Sequence, residues 1–255
     1  MNDRNKSDCE WRQLQWPLKL SPEIVHIVRV RLDLPQGQII ELMHGLSDEE
    51  RIRAERFRFD EPRSRFVACR STLREILGHC YGITPGAIVF GYGAHGKPEI
   101  VANTESPRPD VQFNISHSGV WGLIAVTIGA VVGVDIEEYD SRAELLRLSE
   151  RFFAASEAAE LTNLPATKQQ AGFYRGWTSK EAYIKATGRG MSLPLSSFRV
   201  TIDPDRPASL ISVMDQPNEP ARWTVHSFDV APNYAAAVMV AQPHCRVELW
   251  DWNRS

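Results

Sequence analysis

VQFNISHSGVWGLIAVTIGAVVGVDIEEYD, residues 111–140, is the stretch on which the fold class turns. Val111, Phe113 and Ile115 alternate with Gln112, Asn114 and Ser116, the period-two pattern of a strand with one buried face. After Gly119 comes the apolar run Trp121 to Val126, then Gly129-Ala130 and a further apolar run from Val131. The stretch therefore reads as three successive strands joined by short turns. Upstream, Ser47 to Ile83 has helical spacing: Phe66, Cys69, Leu73, Ile76, Leu77 and Cys80 recur at three- and four-residue steps up to Tyr81-Gly82, and Pro62 divides the segment into two helices. Downstream, Arg142 to Asn163 is helix-like, and Gln169 to Thr187 is a second helix that stops at Gly188 and Gly190. Phe198 to Ile202, Ala221 to Val230 and Tyr234 to Ala241 are strand-like. Helices and mostly antiparallel strands in this order predict an α+β fold.

FVACRSTLREILGHCYGI resembles FYRGWTSKEAYIKATGRGM, and each is followed by strand-like segments that end in an apolar hairpin. This faint duplication predicts two pseudo-equivalent halves with a ligand cleft between them.

With 255 residues, 43% hydrophobic and 24% charged, the chain has the balance of a globular protein that buries a substantial core. A net charge of -3 argues against a general nucleic-acid binder. Cys9, Cys69, Cys80 and Cys245 lie far apart without CxxC or Cys/His spacing, which suggests neither zinc nor a disulfide framework and points to a reducing cytoplasm. The polar N-terminus lacks the apolar segment of a signal peptide and no apolar run reaches transmembrane length, so no membrane role is expected. The first fifteen or so residues read as a loose extension.

Three segments carry chemistry-bearing residues. In VVGVDIEEYD, Val132, Val134 and Ile136 share one strand face, which leaves Asp135 and Glu137 together on the other, about 7 Å apart. Such a pair suits Mg²⁺, a hard cation that takes one or two carboxylates and completes its shell with water and phosphate; it equally suits a strand end turning into solvent. In FYRGWTSKEAYIKATGRG, Glu181 and Lys185 project from one helix face, either as functional groups or as a surface ion pair. Phe173 and Trp177 read as the buried face of that helix, and Lys180 as lying elsewhere on its surface. In FNISHSG, a strand delivers Asn114, Ser116 and His117 to a glycine turn. No GxSxG elbow accompanies the Ser/His pair, so phosphate contact is its better functional use, and a turn histidine without a role is the alternative. Eight arginines between Arg51 and Arg74 form a candidate basic wall for phosphate, although Glu49, Glu50, Glu55 and Glu61 are interspersed to pair with several. Lys97, in YGAHGKPEI, is either a phosphate contact or an exposed loop lysine.

Taken together, the Arg-rich helical stretch, HGKPEI, FNISHSG, GVDIE, RFFAASE and WTSKEAYIKATGRGMSLPLSSF resemble, in the same order from about Ser47 to Ala241, the surfactin-type 4'-phosphopantetheinyl transferases. The resemblance implies a pseudo-twofold α+β fold with halves at residues 21–130 and 131–245, coenzyme A in the cleft between them, and an N-terminal extension (1–20) and C-terminal tail (246–255) outside what it explains. It implies transfer of 4'-phosphopantetheine from coenzyme A to a serine of an apo acyl, aryl or peptidyl carrier protein by a monomer. Asp135, Glu137 and Glu181 would bind Mg²⁺ or Mn²⁺, with Glu181 as general base and Lys185 contacting the reacting phosphate or the serine. Arg53, Arg65, Lys97, Ser116 and His117 would contact the nucleotide and its phosphates, and Glu157 the pantetheine side. Glu50 stands where some relatives place a basic residue, which bears on the 3'-phosphate pocket. The competing reading is a coenzyme A or nucleotide sensor that has kept the cleft without turnover.

Overall fold

The computed structural model describes residues 10–93, 95–101 and 110–252. In chain order they form β1 (Arg12–Gln13), β2 (Ile24–Arg31), α1 (Gln36–His44), α2 (Asp48–Glu55), α3 (Asp60–Tyr81), β3 (Phe90–Tyr92), β4 (Pro98–Ile100), β5 (Val111–Ser118), β6 (Trp121–Ile128) and β7 (Val132–Glu138). The second part comprises α4 (Leu145–Phe152), α5 (Ala155–Asn163), α6 (Ala166–Thr187), β8 (Phe198–Val200), β9 (Leu210–Val213), β10 (Thr224–Phe228), β11 (Tyr234–Val240) and β12 (Arg246–Trp252).

The three expected strands form, but they do not share a sheet. β5 and β6 pair as an antiparallel hairpin closed at Gly119, whose φ of 52° and lack of a side chain are both required, since a Cβ there would lie 2.2 Å from the Tyr234 hydroxyl. β7 instead pairs with β11, giving one sheet of order β1-β12-β2-β6-β5 and another of order β10-β11-β7. Val25, Ile27, Leu123 and Ala125 of the first sheet pack against Val132, Val134, Ile136, Ala236 and Val238 of the second. On the outer face of the first sheet, Val28, Phe113, Ile124 and Val126 receive Leu73, Ile76 and Leu77 of α3. On the outer face of the second, Ala235, Ala237 and Met239 receive Phe173, Ala182 and Tyr183 of α6. The layers therefore run helix, sheet, sheet, helix.

The two halves repeat one order of elements. Strand, long helix, small hairpin and antiparallel strand pair appear as β2, α3, β3-β4, β5-β6 and again as β7, α6, β8-β9, β10-β11. α3 and α6 each have 22 residues and end at a left-handed glycine, Gly82 and Gly188.

Several local expectations are corrected. The break between α2 and α3 falls at residues 56–59, not at Pro62, which sits in the first turn of α3 where no amide donor is needed. Arg142 to Asn163 is two helices, because Phe153 leaves the helical path to stack on Phe173 in the core. β2 and α1 were not legible as periodic segments. The C-terminal tail is no appendage: β12 lies between β1 and β2, and Trp250 is buried with its indole N–H donated to His26 at 3.0 Å. The described part of the N-terminal extension is held as well, with Arg29 between the Trp11 and Trp121 rings and paired with Asp251.

Lys180, expected on the surface, is fully buried, as is Glu157. The ammonium lies 2.8 Å from the Glu157 carboxylate and donates to the carbonyls of Leu195 and Phe198, while Glu157 accepts the N–H groups of Ala154 and Val200. Burial still pulls the Lys180 ammonium down to about 8. A pair so fully bonded ties α5, α6 and β8 together, and removing one member strands the other charge. Glu157→Ala is expected to destabilise the protein by about 3–5 kcal/mol, read as a lowered melting temperature, with coenzyme A affinity of the folded fraction unchanged. An unaltered melt with weakened coenzyme A binding would return Glu157 to the ligand site.

Candidate active site

On β7 the inner face belongs to the core, so Gly133, Asp135 and Glu137 face α6. Gly133 lets the helix approach: a Cβ there would lie 2.0 Å from the Ala182 carbonyl oxygen. That contact brings Glu181 and Lys185, one turn apart on α6, over Asp135 and Glu137. The Lys185 ammonium lies 2.6 Å from Asp135 Oδ1 and donates to Ser116 Oγ at 2.8 Å. Ser116 in turn donates to the same Asp135 oxygen at 2.9 Å. Asp135 Oδ2 is buried without a hydrogen-bond partner.

The trio is short of positive charge. Burial raises the carboxyl of Asp135 against the pull of Lys185. Burial and then the Asp135 charge push Glu137 up to about 6, and the same two causes raise Glu181. Among the described residues no three His, Cys, Asp or Glu side chains are placed to hold a metal ion unaided. The unpartnered Asp135 oxygen and the mutual repulsion fit a hard cation that takes part of its shell from substrate phosphate, as Mg²⁺ does.

Beside the trio a cleft of about 280 Å³ is lined by Arg53 and Arg70 of the first half, Tyr92, His95 and Lys97 of the β3-β4 segment, and Lys185 of the second half. Lys185 belongs to both, so cleft and carboxylates form one site.

Residues 35–129 match the family described as 4'-phosphopantetheinyl transferase, N-terminal, and residues 131–239 match the 4'-phosphopantetheinyl transferase superfamily. This chain belongs to the 4'-phosphopantetheinyl transferase family. It is 37% identical to the 4'-phosphopantetheinyl transferase HetI of Nostoc sp. (strain PCC 7120 / SAG 25.82 / UTEX 2576), over 92% of this chain and 95% of that one. To the 4'-phosphopantetheinyl transferase Sfp of Bacillus subtilis (strain 168) it is 31% identical, covering 82% of this chain and 88% of that one. A solved holo-(acyl-carrier-protein) synthase from Bacillus anthracis str. Ames aligns with 44% of this chain and 95% of its own at 23% identity and a TM-score of 0.35. The activity of the transferase is the phosphopantetheinylation of carrier proteins.

The transferase gathers most, not all, of the residues expected at its site. Asp135, Glu137, Glu181, Lys185 and Ser116 converge, and Lys185 pairs with Asp135 rather than forming the surface pair with Glu181. His117 stands exposed at the end of β5; crowding by protein, then Lys185 and Arg65, keep its imidazole below the usual value and so neutral at pH 7. Arg53 lines the cleft. Lys97 lines it too, but its ammonium donates to the carbonyls of Val132 and Ala186, clasping the β3-β4 segment to the second half. Arg65 pairs with Glu61 and lines a separate groove with Asp33; only its charge reaches His117. Glu157 is away from the cleft, in the buried pair described above. Arg70, Tyr92 and His95 line the cleft without having been singled out, because sequence spacing does not show which arginines of a basic helix turn inward.

Glu137 provides a titration test. In the metal-free protein its carboxyl should titrate near 6, and Asp135→Asn should move the midpoint down, because the repelling charge is gone and Lys185 is released toward it. Carboxyl-carbon NMR of the two proteins measures this; a midpoint unmoved or raised in the variant would mean that Asp135 does not act on Glu137.

Proposed function

We propose that the serine hydroxyl of an apo carrier protein attacks the β-phosphorus of coenzyme A at this site. The new O–P bond forms as the bond to the 5'-phosphate breaks, and 3',5'-adenosine bisphosphate leaves. The observation that carries this reading is the convergence of Asp135, Glu137, Glu181 and Lys185 at the edge of a basic cleft. Asp135, Glu137 and Glu181 would hold Mg²⁺, which when bound neutralises charge on the pyrophosphate. Lys185 meets charge that develops on the phosphoryl oxygens, and Ser116 keeps Lys185 and Asp135 aligned. No described group hydrogen-bonds Glu181, and burial raises its basicity, so it takes the serine proton directly or through water. His117, neutral, donates to a phosphate oxygen.

Arg53 and Arg70 come from the first half and Asp135 and Lys185 from the second, so one chain supplies both walls, which supports a monomer. Among the described residues no helix is long and apolar enough to cross a membrane, and Cys69, Cys80 and Cys245 are free, in keeping with work in a reducing cytoplasm.

The experiment is a mixture of the protein, coenzyme A, Mg²⁺ and an apo carrier domain, followed by mass spectrometry of the carrier. A gain of one phosphopantetheine is expected, and coenzyme A binding without a gain would leave a sensor. Lys185→Ala should lower kcat by a factor on the order of a hundred or more while coenzyme A affinity, measured by calorimetry, changes little. An unchanged kcat would remove Lys185 from the mechanism.

A further inference from the structure

Arg70 carries the least compensated buried charge of the cleft. Its side chain is 4% exposed, yet its Nε and one terminal nitrogen have no hydrogen-bond partner. The remaining nitrogen makes one long bond, 3.4 Å, to the Tyr92 hydroxyl on the β3-β4 segment. The guanidinium lies over Phe90, 4.7 Å from the ring centroid, which fixes its plane. Glu50 is the nearby anion, but it belongs to another arginine: its Oε2 accepts from Arg74 Nε at 2.6 Å and caps Ser47, whereas Oε1 stands 3.5 Å from Arg70 and bonds nothing. A buried guanidinium with two idle N–H groups is costly unless an anion completes it. Arg70 lines the cleft together with exposed Arg53, so the anion comes from a ligand.

That anion is distinct from the reacting phosphates. The carboxylate site is built on Ser116, Asp135 and Lys185, whereas the described partners of Arg70 are Glu50, Phe66, Phe90 and Tyr92, with no residue in common. On the reading that coenzyme A is the donor, on which this inference rests, one phosphate remains outside the pyrophosphate: that on the ribose 3'-oxygen. We propose that Arg70, with Arg53, binds the ribose 3'-phosphate of coenzyme A and makes the enzyme discriminate against donors that lack it. The inference also accounts for Glu50. An acid at that place on α2 subtracts positive charge, and Arg70 on α3 restores it one layer deeper, in a fork suited to two phosphate oxygens.

The test compares paired ligands in wild-type enzyme, Arg70→Met and Arg70→Lys. Calorimetry gives the affinity ratio of 3',5'-adenosine bisphosphate to adenosine 5'-monophosphate, and kinetics give kcat and KM for coenzyme A and for 3'-dephospho-coenzyme A. Wild type should favour the 3'-phosphorylated member of each pair. Arg70→Met should lose at least tenfold of that preference, through a raised KM for coenzyme A with kcat at saturation kept, and without a lower melting temperature. Arg70→Lys, keeping the charge without the fork, should fall between and serves as the readout if the Met variant does not fold. A preference ratio unchanged in the variants would overturn the assignment, as would wild-type indifference to the 3'-phosphate. Failure of the donor reading shows differently, as absence of carrier modification with either coenzyme while the mononucleotide comparison still reads Arg70.

Discussion

The molecule depends on a seam in which side chains do what a β-ladder does elsewhere. β5 and β7 are edge strands of different sheets, lying side by side. Asn114 Oδ1 accepts the Val134 N–H at 2.9 Å, Ser116 donates to Asp135, and Ser118 accepts the Glu138 N–H at 3.0 Å while donating to Glu137 at 3.1 Å. Alternate residues of one strand thus hold successive residues of the other. Each bond contributes about 1 kcal/mol net, but leaving these buried groups unpaired would cost more, so the two edges are committed to one register. The carboxylates gain their positions from the same bonds that join the halves.

Charge at the site follows from this placement. Three acids are brought into partly desolvated surroundings with Lys185 as the nearest cation, which offsets only part of their repulsion. The result favours a second cation and an arriving anion together, the condition for stabilising phosphoryl transfer rather than binding either partner alone. Across the cleft Arg70 presents the inverse case, a cation awaiting an anion. A ligand with separated phosphates satisfies both ends, so its binding and the alignment of the reacting bond are coupled.

Not every buried charge serves the site. Lys180 neighbours Glu181 in sequence yet points into the core, because adjacent helix residues are rotated by about 100°. Its bonds to Glu157 and two carbonyls brace α6 from behind, and α6 presents Glu181 and Lys185. Lys97 likewise spends its donors on structure, holding the β3-β4 segment against β7 and α6.

What the sequence determined by itself is local and periodic. Strand parity in VVGVDIEEYD put Asp135 and Glu137 on one face, helical spacing put Glu181 and Lys185 on another, and alternation in VQFNISHS marked the seam residues, since each pattern depends only on backbone geometry over a few residues. The repeated long helix and hairpin made two halves legible in the same way. Tertiary structure alone decided which face met which. It showed that Lys185 pairs with Asp135, that Glu157 and Lys180 are core, that Arg65 turns away while Arg70 turns in, and that the tail strand lies inside the first sheet between the N-terminal strands. Those outcomes rest on contacts between residues up to 225 positions apart in the chain or on burial against a remote layer, as where Trp250 meets His26, and local periodicity carries no information about them.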